Sequence, residues 1–106
     1  MIINVDLTGA GTTIGLVEPE NCARFHVEAR GGDPEALAAA LSAAGVGHLL
    51  PSGEAMINTQ AIGRMAEGRV PADWDDHFAA MLRYAEGKGW LDDAGEAIQA
   101  HIEWVT

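Results

Sequence analysis

Residues 22–30 read CARFHVEAR, and their side chains alternate without a break. Ala23, Phe25, Val27 and Ala29 fall on one side; Arg24, His26, Glu28 and Arg30 fall on the other. A period of two marks a strand with one face in a core and one toward water. A chain that carries it must build a sheet. The preceding residues say the same. In IINVDL (2–7), Ile3, Val5 and Leu7 oppose Asn4 and Asp6. TGAGTT reads as a turn and IGLVE as a second short strand, so residues 2–18 are expected to form a hairpin. Pro19-Glu20-Asn21 then breaks the chain.

The middle of the chain changes period. GGDPEALAAALSAAG places Asp33 as a helix cap, Pro34 at the first helical position and Gly45 just past the end. Leu37, Leu41 and Ala44 form its apolar stripe, with Ala40 beside it. VGHLLPSGEAMIN has two short apolar runs around Pro51-Ser52-Gly53, which reads as a small hairpin leading into a helix near 59–67. A single longer helix from Gly53 is the competing reading, and Gly63 weakens either. PADWDDHFAAMLRYAEGKG predicts a further helix, with Asp73 placed to cap it and Gly87 and Gly89 to end it. Trp74, Phe78, Met81 and Ala85 lie on one face at helical spacing.

AIQAHIEWV, residues 97–105, fits two periods. As a helix, Asp93 and Glu96 would make a capping-box start, and Leu91, Ala94, Ile98, Ile102 and Val105 would share a face. As a strand, DDAGE is a turn. Ile98, Ala100, Ile102 and Trp104 then point inward, and Gln99, His101 and Glu103 outward. Gly95 would sit inside the first helical turn, and the alternation gathers the polar residues on one side, so the strand is favoured. The expected fold is one α+β domain over residues 1–106. A small antiparallel sheet, made of the N-terminal hairpin, the third strand and the C-terminal strand, packs on three helices.

The formal net charge is −10, from 16 acidic against 6 basic residues. Nucleic acid binding requires phosphates to be neutralised, so neither nucleic acid nor an anionic membrane surface is an expected partner. The same charge fits solubility, a basic partner or a bound cation. The single cysteine, Cys22, excludes a disulfide framework within the chain and fits a reducing compartment. The start MIINVDLTGAG has no basic region and no long apolar stretch, and no apolar run approaches the ~20 residues of a membrane span. A cytoplasmic location is the expectation.

Five constellations carry candidate chemistry. If 22–30 and 97–105 share a sheet, His26, Glu28, His101 and Glu103 point to one side. As neighbours they could bind Zn²⁺ or Mn²⁺, or transfer protons. The simpler reading is an ordinary wet sheet face. Asp73 and His77, four apart with Asp76 adjacent, could ligate a metal, but the acids have a sufficient reason at a helix start. TGAGTTIG (8–15) is rich in glycine, yet a strand rather than a helix N-terminus follows it, so a phosphate loop is disfavoured. Cys22 has only Arg24 near it and no base in sequence, which fits a partly buried thiol. Among the aromatic residues, Trp74 and Phe78 read as core. Trp90, with Tyr84 and Trp104, is the candidate interface.

The segments DWDDHFAAMLRYAEGKGWLD (73–92) and AHIEW (100–104) resemble a group of small uncharacterised proteins from high-GC, actinobacterial-type bacteria. The carrying pattern is Gly-Trp-x-Asp followed by Ala-His-x-Glu-Trp. The resemblance covers about the last third of the chain. It implies no activity and brings no functional residues, and it favours the strand reading of 97–105.

No nucleophile–base pair, phosphate loop or metal motif stands out in one dimension. The functional expectation is therefore a non-catalytic interaction or accessory module, without cofactor or metal, that binds an unidentified protein partner or a second copy of itself as a homodimer. The alternative is a small metal-dependent or acid/base enzyme that uses His26, Glu28, His101 and Glu103. It requires the two strands to be neighbours.

Overall fold

The computed structural model describes residues 1–9 and 12–105. The elements are β1 (Ile2–Asp6), β2 (Thr13–Val17), β3 (His26–Arg30), α1 (Pro34–Ala43), β4 (Gly47–Leu49), β5 (Ala55–Asn58), α2 (Thr59–Ala66), α3 (Trp74–Lys88), β6 (Ala97–Ala100) and β7 (Ile102–Val105). This is the expected α+β class, with three helices packed on sheet. Among the described residues no helix is long and apolar enough to cross a membrane.

The strands form two sheets, ordered β2-β1-β3-β7 and β4-β5-β6. The first is mixed where an antiparallel sheet was expected. β1 and β2 make the antiparallel hairpin, but β3 runs parallel to β1 and β7 runs parallel to β3. Connectivity gives the reason. β2 ends at Val17, opposite Ile2, at the beginning of β1. A crossing segment over 18–25 then needs only to pass the end of β1 to start β3 at His26, also beside Ile2. The strand on the far side of β1 must therefore run in the direction of β1. The crossing takes Cys22–Phe25, so the strand expected over 22–30 begins at His26. Trp74 pins this crossing through its buried indole N–H, which donates to the Pro19 carbonyl at 2.6 Å.

AIQAHIEWV is extended and belongs to both sheets. β6 pairs with β5 from Ala97 to Ala100, and β7 pairs with β3 from Ile102 to Val105. His101 lies at the bend between them. Its carbonyl accepts from the Val27 N–H at 3.0 Å, the first rung of the new pairing. DDAGE is the turn that the strand reading requires. Asp92 Oδ1 accepts from the N–H groups of Glu96 (2.7 Å) and Ala97 (3.2 Å), and Gly95 takes φ 71°. A strand that leaves one sheet for another through a bend makes a corner, and this corner joins the two sheets.

The helices follow most of their sequence signals. Asp33 Oδ1 accepts from Ala36 N–H at 2.8 Å and caps α1, and Gly45 follows its end at φ 68°. Leu37 and Leu41 are fully buried, whereas Ala44 at the end of the stripe is exposed. Asp73 does not cap α3. Its backbone sits at φ −86°, ψ 1° rather than in the extended region a cap needs, and its carboxylate turns to His77 instead. Gly89, left-handed at φ 79°, ends α3, and Gly87 lies within its last turn. One contiguous core contains Ile3, Val5, Val27 and Ala29 of the first sheet and Ile57, Ile98 and Ala100 of the second. Leu37 and Leu41 of α1, Ile62 of α2 and Trp74 and Ala85 of α3 complete it.

Two glycines test this packing with opposite signs. A Cβ at Gly47 would collide with the Met56 carbonyl across the β4–β5 pair, and only backbone could yield. Gly63, inside α2, has open space around it. Gly47→Ala is expected to lower unfolding free energy by about 1–3 kcal/mol. Gly63→Ala is expected to raise it by about 0.5–1 kcal/mol. Urea denaturation of both variants checks the pair.

Candidate functional site

The alternation of β3 and β7 decides which side chains meet. Parallel register sets Glu28 beside Glu103, while Val27 and Ile102 share the opposite face. His101, one residue before β7, falls on the side of Glu103 and beside His26. The four polar residues singled out from the sequence are thus brought together. His26 Nε2 lies 3.4 Å from Glu28 Oε1 and 3.3 Å from Glu103 Oε2. His101 Nε2 lies 3.3 Å from the other Glu103 oxygen. The two imidazoles stack, with centroids 5.3 Å apart and planes 19° from parallel.

This is not an ordinary wet face. His26 is 1% exposed and is the buried polar side chain among the described residues. It starts an interior strand, with Ile2 beside it in register, the crossing segment before it and the His101 ring stacked on it. Glu28 is partly covered, and His101 and Glu103 stay open to water. His101 beside it, and then the charge His26 carries when protonated, hold the Glu103 carboxyl below its usual range.

The cluster forms one wall of a cleft of about 580 Å³, a size usual for small-ligand sites. The cleft runs between the crossing segment, α3 and the strand corner. Phe25, Met81 and Ile98 supply apolar lining, and Arg24 a cation. Tyr84 and Trp90 also line it. They meet edge to face at 6.0 Å, and Lys88 lies 5.5 Å over the tyrosine ring. Glu54 and Gln99, hydrogen-bonded to each other, line it too. The amphipathic cleft thus has the histidine–carboxylate group at one wall and an aromatic pair at another.

The other candidates separate. Trp104, 41% exposed, points to the face opposite Glu103, away from Tyr84 and Trp90. Its expected inward position is therefore only partly realised, because β7 is an edge strand. Trp74 and Phe78 stack at 4.8 Å, Trp74 in the core and Phe78 packed against it. Asp73 and His77 pair at 3.2 Å on open surface, and Asp76 does not join them in a three-donor group. In TGAGTTIG, Ala10 and Gly11 lie outside the described residues, and β2 follows the loop. Thr8 donates from its backbone and its hydroxyl to Asp6, which lowers the Asp6 pKa. Arg24, Gln99 and Glu54 had no signal as site residues, because the cleft exists only once the crossing segment and the corner are folded against α3.

Among the described residues His26, Glu28 and Glu103 form the three-donor group, with ligand atoms all within 4.8 Å of one another. Cys22 also lines the cleft, but burial pushes its thiol pKa up, which disfavours the thiolate a nucleophile needs. Iodoacetamide is therefore expected to alkylate Cys22 at pH 8 more slowly in the native protein than in urea-unfolded protein, followed by mass spectrometry. Equal or faster native reaction would restore Cys22 as a nucleophile.

Comparisons with protein-family models, with curated proteins and with solved structures find no match for this chain.

Proposed function

We propose that the chain is a small ligand-binding domain that works through the cleft at the strand corner, with a polar wall equipped for acid/base chemistry. One observation carries this: a buried imidazole, His26, faces carboxylates from two strands within 3.4 Å at the wall of that cleft. Burying a polar ring and gathering two carboxylates around it costs stability. Hydrophobic packing alone would favour an apolar residue at the first position of an interior strand. Polar groups that converge on a cleft with apolar lining are the usual mark of a ligand site.

The roles follow from exposure. His101 is open to the cleft, and its ring nitrogen contacts Glu103, so it is the proton donor or acceptor for a bound molecule. Glu103 orients His101 and is itself held by His26 on its other oxygen. The ligand class that suits the cleft has a flat apolar body, for Tyr84 and Trp90, and a polar head for the cluster. This favours the acid/base or metal-dependent alternative over the accessory module.

The accessory reading keeps one observation of its own. β7 is a short edge strand that carries the half-exposed Trp104, a feature that suits a protein partner or a second copy of the chain. A homodimer through this edge predicts a concentration-dependent mass in analytical ultracentrifugation that Trp104→Ala abolishes.

The cleft reading is tested by titrating ¹⁵N-labelled protein with benzoate, benzylamine and phenol and following the three indole N–H signals. At least one probe is expected to move Trp90 while Trp74 stays still, and His101→Ala is expected to weaken that binding severalfold. No movement of Trp90 with any probe, or movement of Trp104 alone, would sink the reading.

A further inference from the structure

We propose that His26, Glu28 and Glu103 bind one divalent transition-metal ion, of the Zn²⁺ or Mn²⁺ class, as three protein ligands with an open position toward the cleft. The inference rests on the same cleft and names the ion that would complete its polar wall.

Donor spacing is the first argument. Zinc bonds to nitrogen and oxygen are about 2.0–2.2 Å long, so two ligands of a tetrahedral ion lie roughly 3.3–3.5 Å apart. His26 Nε2 lies 3.3 and 3.4 Å from its two carboxylate oxygens. A charge-assisted N–H···O bond prefers about 2.7–2.9 Å. A single imidazole nitrogen also carries at most one hydrogen, yet it faces two acceptors. Both separations match co-ligands of one cation, and the three donor atoms all lie within 4.8 Å of one another.

The second argument is the carboxylate pair. Glu28 and Glu103 are direct register partners on one face of adjacent strands. Like charges in that position repel. Among the described residues neither forms an ion pair with Lys or Arg; their partners are His26 and His101. A dication between them would reverse the sign of the interaction, since two carboxylates balance its charge. The third argument is placement. Each ligand sits on a strand, and His26 is locked by packing, so the donors are pre-positioned.

The donor set narrows the ion. One imidazole and two carboxylates suit Zn²⁺, Mn²⁺, Fe²⁺ or Co²⁺, whereas Ca²⁺ seeks six to eight oxygens. Three protein ligands are the count of a site that keeps a position open. His101 stays outside the donor set: its ring contacts the second oxygen of Glu103 and does not join the three donors.

The test uses tag-free, chelator-stripped full-length protein and isothermal titration with Zn²⁺, Mn²⁺, Mg²⁺ and Ca²⁺. Zn²⁺ or Mn²⁺ is expected to bind at one per chain. Glu28→Gln and Glu103→Gln are each expected to weaken binding at least tenfold, and His77→Gln to leave it unchanged. Thermal melts add a sign that a merely structural role would not produce. Without metal, Glu28→Gln should melt at or above the wild type, because repulsion is relieved. With saturating Zn²⁺ the wild type should melt higher, because only the folded state binds. No stoichiometric binding, binding indifferent to both glutamine variants, or a Glu28→Gln variant less stable with and without metal would each overturn the proposal. The benzoate, benzylamine and phenol titration, run on stripped protein, separates the two readings: probe binding without metal binding keeps the cleft and removes the ion.

Discussion

The hydrogen bond from the Val27 N–H to the His101 carbonyl is where the two sheets become one structure. Before it, the last strand belongs to β5; after it, to β3. A strand has two faces and two edges, and a straight continuation of β6 would have kept His101 and Glu103 beside the second sheet. The bend carries them onto the edge of β3 instead, in a register that sets Glu103 beside Glu28 and His101 beside His26. The cleft, the stacked imidazoles and the facing carboxylates all follow from that change of partner.

The corner also brings a conflict of forces to one place. The core side of β3 and β7 is ordinary: Val27, Ala29 and Ile102 bury apolar area. On the other side, packing closes over a histidine while register presses two acids together. Packing wins locally because β3 is an interior strand and its first residue is covered whatever its chemistry. Such places, where a sequence departs from the rule that buried positions be apolar, are where function is expected to reside.

Much of this was legible in one dimension, and the limits have identifiable causes. A period of two assigns sidedness, so His26, Glu28, His101 and Glu103 could be placed on one face from spacing alone. Asp33, Pro34 and Gly45 marked both ends of α1 because capping is a local interaction. Strand direction was not legible. It depends on where the 18–25 segment crosses, and that depends on contacts such as the Trp74 indole with Pro19, 55 residues away. The burial of His26 was hidden for the same reason: Ile2 beside it and the His101 ring stacked on it come from distant parts of the chain. Asp73 misled because its residue type suits a cap and its backbone does not. Tyr84 and Trp90 were visible as unusual aromatics, but their place at the cleft required the fold of α3 against the corner.

The distance in sequence between β3 and β7 has a consequence for how the fold forms. β3 is complete by residue 30, but its second edge stays unpaired until residues 102–105 exist. A chain in which this pairing has not yet formed displays an open strand edge, with Val27 and Ala29 lacking their neighbour. Pairings this distant in sequence form slowly, and unpaired edges invite association with other chains. The polar face of the strand, with Arg30 and Glu28 on it, sets charged side chains along that edge, a usual guard against pairing with another chain.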